Sequence, residues 1–327
     1  MSGLHMLNRY LVIAFLVFPF LCGRAYADTY GLVGKSLSDA ALVEIWRGCE
    51  AMASRNDDHC TALGATGDGH PRYQKRVLSE ALQSDRFKGL GISVSHSDLI
   101  AEVLKTSPLP LITIDVPFSD KDNHLSIGHI GVDNLALGKD LANVVRELHP
   151  KGGNICIMAS FGLHRAQMEE RLLGLRRGLS GEKLDKGVRL NGHQGWREVA
   201  RCPWNNGEKS ERALTQLDFT LNHLDVDVFV SIDNWVIADP RAYQKVVAPY
   251  KERIETGKTI MVLSIGGMRS EYSKLLRTKL VHGYLMINYF QLGQGSYTLM
   301  KAMASGESIP PVTYIRNHKT YLVKPEN

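Results

Sequence analysis

Short β-branched and apolar runs that stop at a carboxylate are the strongest constraint in this chain. Leu111-Ile112-Thr113-Ile114 ends at Asp115, and after a polar loop the run Ile127 to Val132 ends at Asp133 and Asn134. A run of this kind suits a buried parallel strand. Both faces of such a strand are covered, and polar groups emerge at its carboxyl end, where ligands of open α/β sheets sit. Asp115 is therefore expected to face a cleft. An amphipathic stretch follows (Leu135, Leu137, Leu141, Val144, Val145, Leu148), and Asn134 or Asp133 beside it can cap that helix.

The same unit recurs along the chain. Strand-like runs at Tyr30 to Gly34, Cys60 to Gly64, Gly89 to Ser93 and Leu111 to Asp115 alternate with helical patterns at about residues 40–54, around Val77, Leu78, Ala81 and Leu82, and at about residues 98–106. This β-α alternation with short connections predicts a parallel sheet with helices on both faces. A second series begins at Asn154 to Ala159 and continues through helices at 165–179 and 208–222. Further strands are predicted at Gly187 to Gly192, Asp227 to Ile232, Thr259 to Ile265 and Gly283 to Ile287, then a helix at Leu292 to Ala304 and an extended end from Pro310 to Val323. Two α/β units of similar size thus lie in tandem. With 327 residues, 44% of them hydrophobic, the chain has mass for two cores.

The first residues read differently. Residues 11–21 are apolar, Arg9 precedes them without any acid, and Ala25-Tyr26-Ala27 places small residues where a secretory signal is cut. The run is short of the ~20 residues a bilayer crossing needs, so a signal peptide (residues 1–27) cleaved after Ala27 is expected rather than an anchor. Removing Arg9 and Arg24 leaves 37 basic against 34 acidic residues. That mild balance, without a basic run interleaved with aromatics, gives nucleic-acid binding no support. Export permits disulfides. Cys49 and Cys60 are the nearest pair, either bridged or packed as buried thiols, while Cys156 in its apolar strand reads as packing. No cysteine or histidine spacing suits a tetrahedral metal site, so neither metal nor cofactor is expected.

Several of these residues together resemble a known family. Ile112-Thr113-Ile114-Asp115, His129-Ile130-Gly131-Val132-Asp133-Asn134, Glu169-Glu170-Arg171 before Gly174, the loop around Trp204, and Val228-Phe229-Val230-Ser231-Ile232-Asp233 stand in the order found in type I periplasmic sugar-binding proteins of the ribose-binding class. That fold is shared with the ligand domain of LacI-type repressors. The resemblance covers residues 30–323 and implies an α/β fold of two doubly wound parallel-sheet lobes joined by a three-strand hinge. It implies crossings near Asn134, near Ile287 and Asn288, and at Val312 to Tyr314, with Thr313 at its centre. One lobe would then hold residues 28–133 plus 289–311, and the other 134–288 plus 312–327, with a ligand cleft between them.

Site residues follow by position. Asp39 matches a polar ligand-contacting position, although it also stands where an N-cap belongs, and the family's stacking aromatics are replaced by Ala41 and Leu42. Asp115 is the best candidate, with Val116 where an arginine is usual. Arg171 matches an arginine that reaches sugar hydroxyls; its alternative is a solvated face. Trp204 matches a stacking aromatic, with core packing as its alternative. Asp233, Trp235 and Asn288 complete the ligand-binding set, whereas Ile232, Gly266 and Ile287 stand where amides or an acid are usual. Lys35 and Arg269 are expected at the surface. Because several hydroxyl-binding groups are absent, the expected ligand is sugar-like but not a plain pentose or hexose, and acids beside tryptophan suit a cationic or less polar molecule.

The resemblance implies a non-enzymatic periplasmic solute-binding protein that closes by hinge bending and delivers its ligand to the permease of an ABC transporter, as a monomer. A periplasmic ligand sensor read by a sensor kinase or chemoreceptor is the alternative with the same fold. An enzyme on a doubly wound scaffold is the alternative of another class. Gly64-Ala65-Thr66-Gly67-Asp68-Gly69 follows a strand, but lacks the spacing of a dinucleotide or phosphate loop, and no nucleophile elbow occurs.

Overall fold

The computed structural model describes residues 27–323 apart from 68, 106–108, 163–164 and 317. The expected signal peptide up to Tyr26 and residues 324–327 lie outside the described residues.

Strand β1 (Thr29–Ser36) leads to helix α1 (Ala40–Ala53), β2 (His59–Ala65), α2 (Pro71–Leu82), β3 (Gly89–Ile92), α3 (Ser97–Leu104), β4 (Leu111–Ile114) and β5 (Gly128–Val132). The second series runs α4 (Asn134–Leu148), β6 (Gly153–Ala159), α5 (Arg165–Ser180), β7 (Asn191–His193), β8 (Trp196–Glu198), β9 (Trp204–Asn205), α6 (Ser210–His223) and β10 (Val228–Ser231). It continues through α7 (Pro240–Val247), α8 (Lys251–Glu255), β11 (Ile260–Ile265), α9 (Ser270–Arg277), β12 (Gly283–Met286), α10 (Tyr289–Ala304), β13 (Val312–Ile315) and β14 (Lys319–Leu322). The strand predicted at 187–192 is instead the short β7, which pairs antiparallel with β8.

Two sheets result. The first has six strands in the order β13-β5-β4-β3-β1-β2, all parallel. The second has eight, ordered β14-β12-β11-β10-β6-β8-β7 with β9 beside β6. Each sheet is covered on both faces, which is why its central strands are apolar throughout rather than alternating. In the first lobe, α1 and α10 bury Ile45, Leu292 and Met300 on one face, while α2 and α3 bury Leu78 and Ile100 on the other. In the second, α4 and α5 cover one face and α6, α7 and α9 the other. Paired glycines set the closest helix contacts. A Cβ on Gly48 would overlap the Phe290 carbonyl and one on Gly293 that of Ile45, so α1 and α10 touch backbone to backbone.

The chain passes between the sheets at Asp133–Asn134, at Ile287–Asn288 and between β13 and β14. The third passage corrects the expectation of a crossing at Thr313. Val312 to Ile315 form the edge strand β13 of the first sheet, with Thr313 in register with Ile130, so residues 312–315 belong to the first lobe. Only β14 joins the second, antiparallel to β12.

Two disulfides tie elements together. Cys49 of α1 bridges to Cys60 of β2, with their Cα atoms 5.9 Å apart. Cys156 is corrected from plain packing: it bridges from β6 to Cys202, 46 residues on, in the loop before β9.

Candidate ligand-binding site

A cavity of about 360 Å3 lies between the two lobes, at the carboxyl ends of both sheets. That volume is in the range of small-molecule pockets. The strand-to-helix turns build it. After β1 the chain turns through Lys35, Ser38 and Asp39; Asp39 caps α1, accepting from the amides of Ala41 and Leu42 at 2.9 and 3.3 Å, and also borders the cavity. Asp39 is thus an N-cap placed at the edge of the cavity. Lys35, expected at the surface, lines the cavity with its ammonium 3.8 Å from the Asp39 carboxylate.

Asp115 ends β4 and faces the same space. Its φ of 62° is in the left-handed region, where aspartate is among the few side chains tolerated. The twist is held by its own amide, which donates to Ile130 O at 2.8 Å, and by Val116 N–H, which donates back to Ile114 O at 2.7 Å. From the other lobe, the side-chain amide of Gln167 donates to the Asp115 carbonyl at 2.6 Å.

Arg171, on α5, is buried behind the cavity wall. Its Nε and Nη2 donate to Asn134 Oδ1 at 3.2 and 2.7 Å, and Nη1 donates to Ile232 O at 2.6 Å. Burial pulls its pKa down, while Tyr289, Asp115 and Asp233 favour its charge. Asp233 is buried too, which pushes its pKa up. The opposing influences are Asn206 Nδ2 on Oδ2 at 3.0 Å, the Trp235 amide and Ser231 hydroxyl on Oδ1, each at 3.1 Å, and the Ser160 side chain. Trp235 projects from the turn after β10 into the cavity lining.

Of the predicted ligand-binding residues, Asp39, Asp115, Arg171, Asp233 and Trp235 therefore converge. Trp204 and Asn288 do not border the cavity. Trp204 packs on the second-lobe core, its Nε1 donating to Thr220 Oγ1 at 2.8 Å and its ring edge-on to Phe219. Asn288 caps α10, accepting from the Gln291 amide at 3.1 Å. Arg269 lies over the Tyr272 ring.

Other lining residues carried no signal in the sequence reading. Tyr289 is the first residue of α10, and a Cβ on Gly266 would stand 3.2 Å from its ring, so the absence of a side chain at 266 leaves room for that aromatic wall. Ser264 of β11 also borders the cavity, with a buried hydroxyl that meets no hydrogen-bond partner among the described residues. Among the described residues no cluster of histidine, cysteine or carboxylate suits a metal ion, and no helix is long and apolar enough to cross a membrane.

A family model described as a periplasmic binding protein domain matches residues 30–308. The chain belongs to that family. It is a family of non-enzymatic solute-binding proteins. Among curated proteins, none matches this chain. Solved structures do. A periplasmic solute-binding protein of an ABC transporter from Actinobacillus succinogenes 130z, with bound D-allose, has a TM-score of 0.71 at 16% identity, covering 90% of this chain and 96% of its own. A counterpart from Agrobacterium vitis with bound α-D-tagatopyranose has 0.70 at 16%, covering 90% and 94%. GanP, a glucose-galactose binding protein from Geobacillus stearothermophilus, has 0.68 at 17%, covering 91% and 98%. At these identities the likeness is one of fold: two α/β lobes arranged as in type I periplasmic binding proteins.

Proposed function

We propose that this periplasmic binding protein captures a sugar-like small molecule between its lobes and passes it to the permease of an ABC transporter. The observation that carries the reading is the interlobe cavity itself, walled by polar groups from both lobes and by Trp235 and Tyr289. A polyhydroxy ring needs such a mixture: hydroxyl partners at its rim and aromatic surface against its apolar faces. Solved relatives of the same fold are described with bound monosaccharides, which supports the same class here. Passages at Asn134, at Ile287 and between β13 and β14 serve as the hinge, and ligand favours the closed arrangement because only there do both lobes touch it. Cleavage after Ala27 would release the mature chain into the periplasm, and the family supports that address.

Charge narrows the ligand. Asp39 and Asp115 border the cavity from the first lobe and Asp233 from the second, so a cationic substituent on the ligand would meet carboxylates from both sides. The test is calorimetric titration of purified mature protein with D-allose, D-tagatose, D-arabinose and D-galactose and with their amino-substituted analogues, beside mass spectrometry of any co-purifying solute. Saturable binding that is weakened by Asp115→Ala and Trp235→Ala is expected. No binding across the panel, together with a non-carbohydrate solute in the purified protein, overturns the sugar reading.

A further inference from the structure

We propose that Gln167 is a positioning residue that latches the two lobes together across the cleft before any ligand arrives. This inference rests on the reading of the interlobe cavity as the ligand site. Its donor is the side-chain amide of a second-lobe helix, and its acceptor is the main-chain carbonyl of Asp115 in the first lobe, 2.6 Å away. Both residues border the cavity, so the bond lies beside the ligand space rather than at the hinge.

The acceptor is built for this role. At Asp115 the backbone turns left-handed, and its amide is fixed to Ile130 while Val116 N–H bonds back to Ile114. Those two bonds lock the peptide planes on either side of Asp115 and fix the direction of its carbonyl. A main-chain acceptor also keeps its capacity whatever the ligand or pH. The Asp115 carboxylate acts in the same sense, since it favours the charge of Arg171 on the opposite lobe. Two second-lobe residues one helical turn apart, Gln167 and Arg171, are thus drawn to one first-lobe residue.

Opening the cleft breaks the Gln167 bond and exposes both groups to water. One neutral hydrogen bond shifts an equilibrium by roughly three- to tenfold, and apparent affinity falls by the same factor when the competent closed fraction falls. Gln167 then raises affinity without contacting ligand, by prepaying part of closure.

The experiment is small-angle X-ray scattering on mature protein dialysed free of solute, for the wild type, Gln167→Met and Gln167→Lys. Methionine keeps the length without a donor; lysine keeps a donor. A larger radius of gyration for Gln167→Met, with Gln167→Lys matching wild type, is expected. Identical scattering from wild type and Gln167→Met, or equal opening in both variants, overturns the latch. Gln167 is only half-buried on a helix surface, so neither change threatens folding. Because the scattering needs no ligand, a protein that binds no monosaccharide yet opens in Gln167→Met refutes the sugar reading alone. One that binds but scatters unchanged refutes the latch alone.

Discussion

Arg171 and Asn134 form a buried fork at the first passage between the lobes, with Nε and Nη2 of the arginine both on Oδ1 of the asparagine. Asn134 in turn donates from Nδ2 to Val132 O at 3.2 Å, so the guanidinium holds the end of β5 through one side chain. Removing it takes the donors from Asn134 Oδ1 and Ile232 O and takes from Asp115 and Asp233 a buried cation with which both interact. Arg171→Ala is expected to lower stability by about 3 kcal/mol, the cost typical of deleting one partner of a buried charged network, and to abolish ligand binding. Urea unfolding of the purified variant reads the first. An unchanged midpoint would place Arg171 outside the structural frame.

Ser264 has the opposite sign. Its buried hydroxyl lacks a partner among the described residues, so truncation removes a desolvated group without breaking a bond. Ser264→Ala should leave the ligand-free protein as stable or raise its stability by up to about 1 kcal/mol, while weakening binding of any ligand whose polar group satisfies that hydroxyl. Thermal melts with and without ligand separate the two effects. A variant destabilised by 2 kcal/mol or more would show that the hydroxyl has a partner after all.

The bridges Cys49–Cys60 and Cys156–Cys202 make the fold sensitive to reductant. Each closes a loop and restricts the unfolded chain, worth about 2–4 kcal/mol, with the longer loop of the second bridge giving the larger effect. Cys156→Ala with Cys202→Ala should therefore cost more than Cys49→Ala with Cys60→Ala in denaturant midpoint. Peptide mapping under non-reducing conditions checks the pairing directly.

What could be read from the chain follows from how local each signal is. Asp115 and Asp233 were legible because a carboxylate ending an apolar run is placed by the strand it terminates, and both of these turns border the cavity. Trp204 is not placed by its neighbours in sequence: the hydroxyl that draws in its indole belongs to Thr220, on α6, and core packing won over exposure. Gln167 and Tyr289 sit in the first turns of α5 and α10, where a polar or aromatic residue is ordinary, and only the juxtaposition of the lobes gives them a site. The Cys156–Cys202 bridge spans a loop whose path no local pattern specifies. Thr313 failed for a related reason: an extended run reads alike whether it crosses between lobes or pairs along an edge, and its register with Ile130 depends on β5.

Acid should loosen the protein through two buried imidazoles. Burial drives the pKa of His129 and of His282 down to about 4, from an ordinary value near 6.5. His282 accepts from Met261 N–H through Nδ1 at 3.1 Å, a role that protonation of that nitrogen would end, whereas the contact of His129 Nδ1 with Thr113 Oγ1 at 2.9 Å opposes the effect of burial, which dominates. Between pH 6.5 and 4 the unfolded chain binds these protons and the folded chain does not. Stability is therefore fully present above about pH 6.5 and declines as pH falls, by up to about 3 kcal/mol for each imidazole. Asp233 and Glu170, pushed up by burial, bind protons in the fold and offset part of the loss at the acid end. Urea midpoints measured from pH 7.5 to 4.5 should fall steadily. His282→Asn, which keeps an acceptor where Nδ1 stands, should reduce that slope by about half, and a wild-type profile flat across this window would show that the two imidazoles are not held neutral by burial.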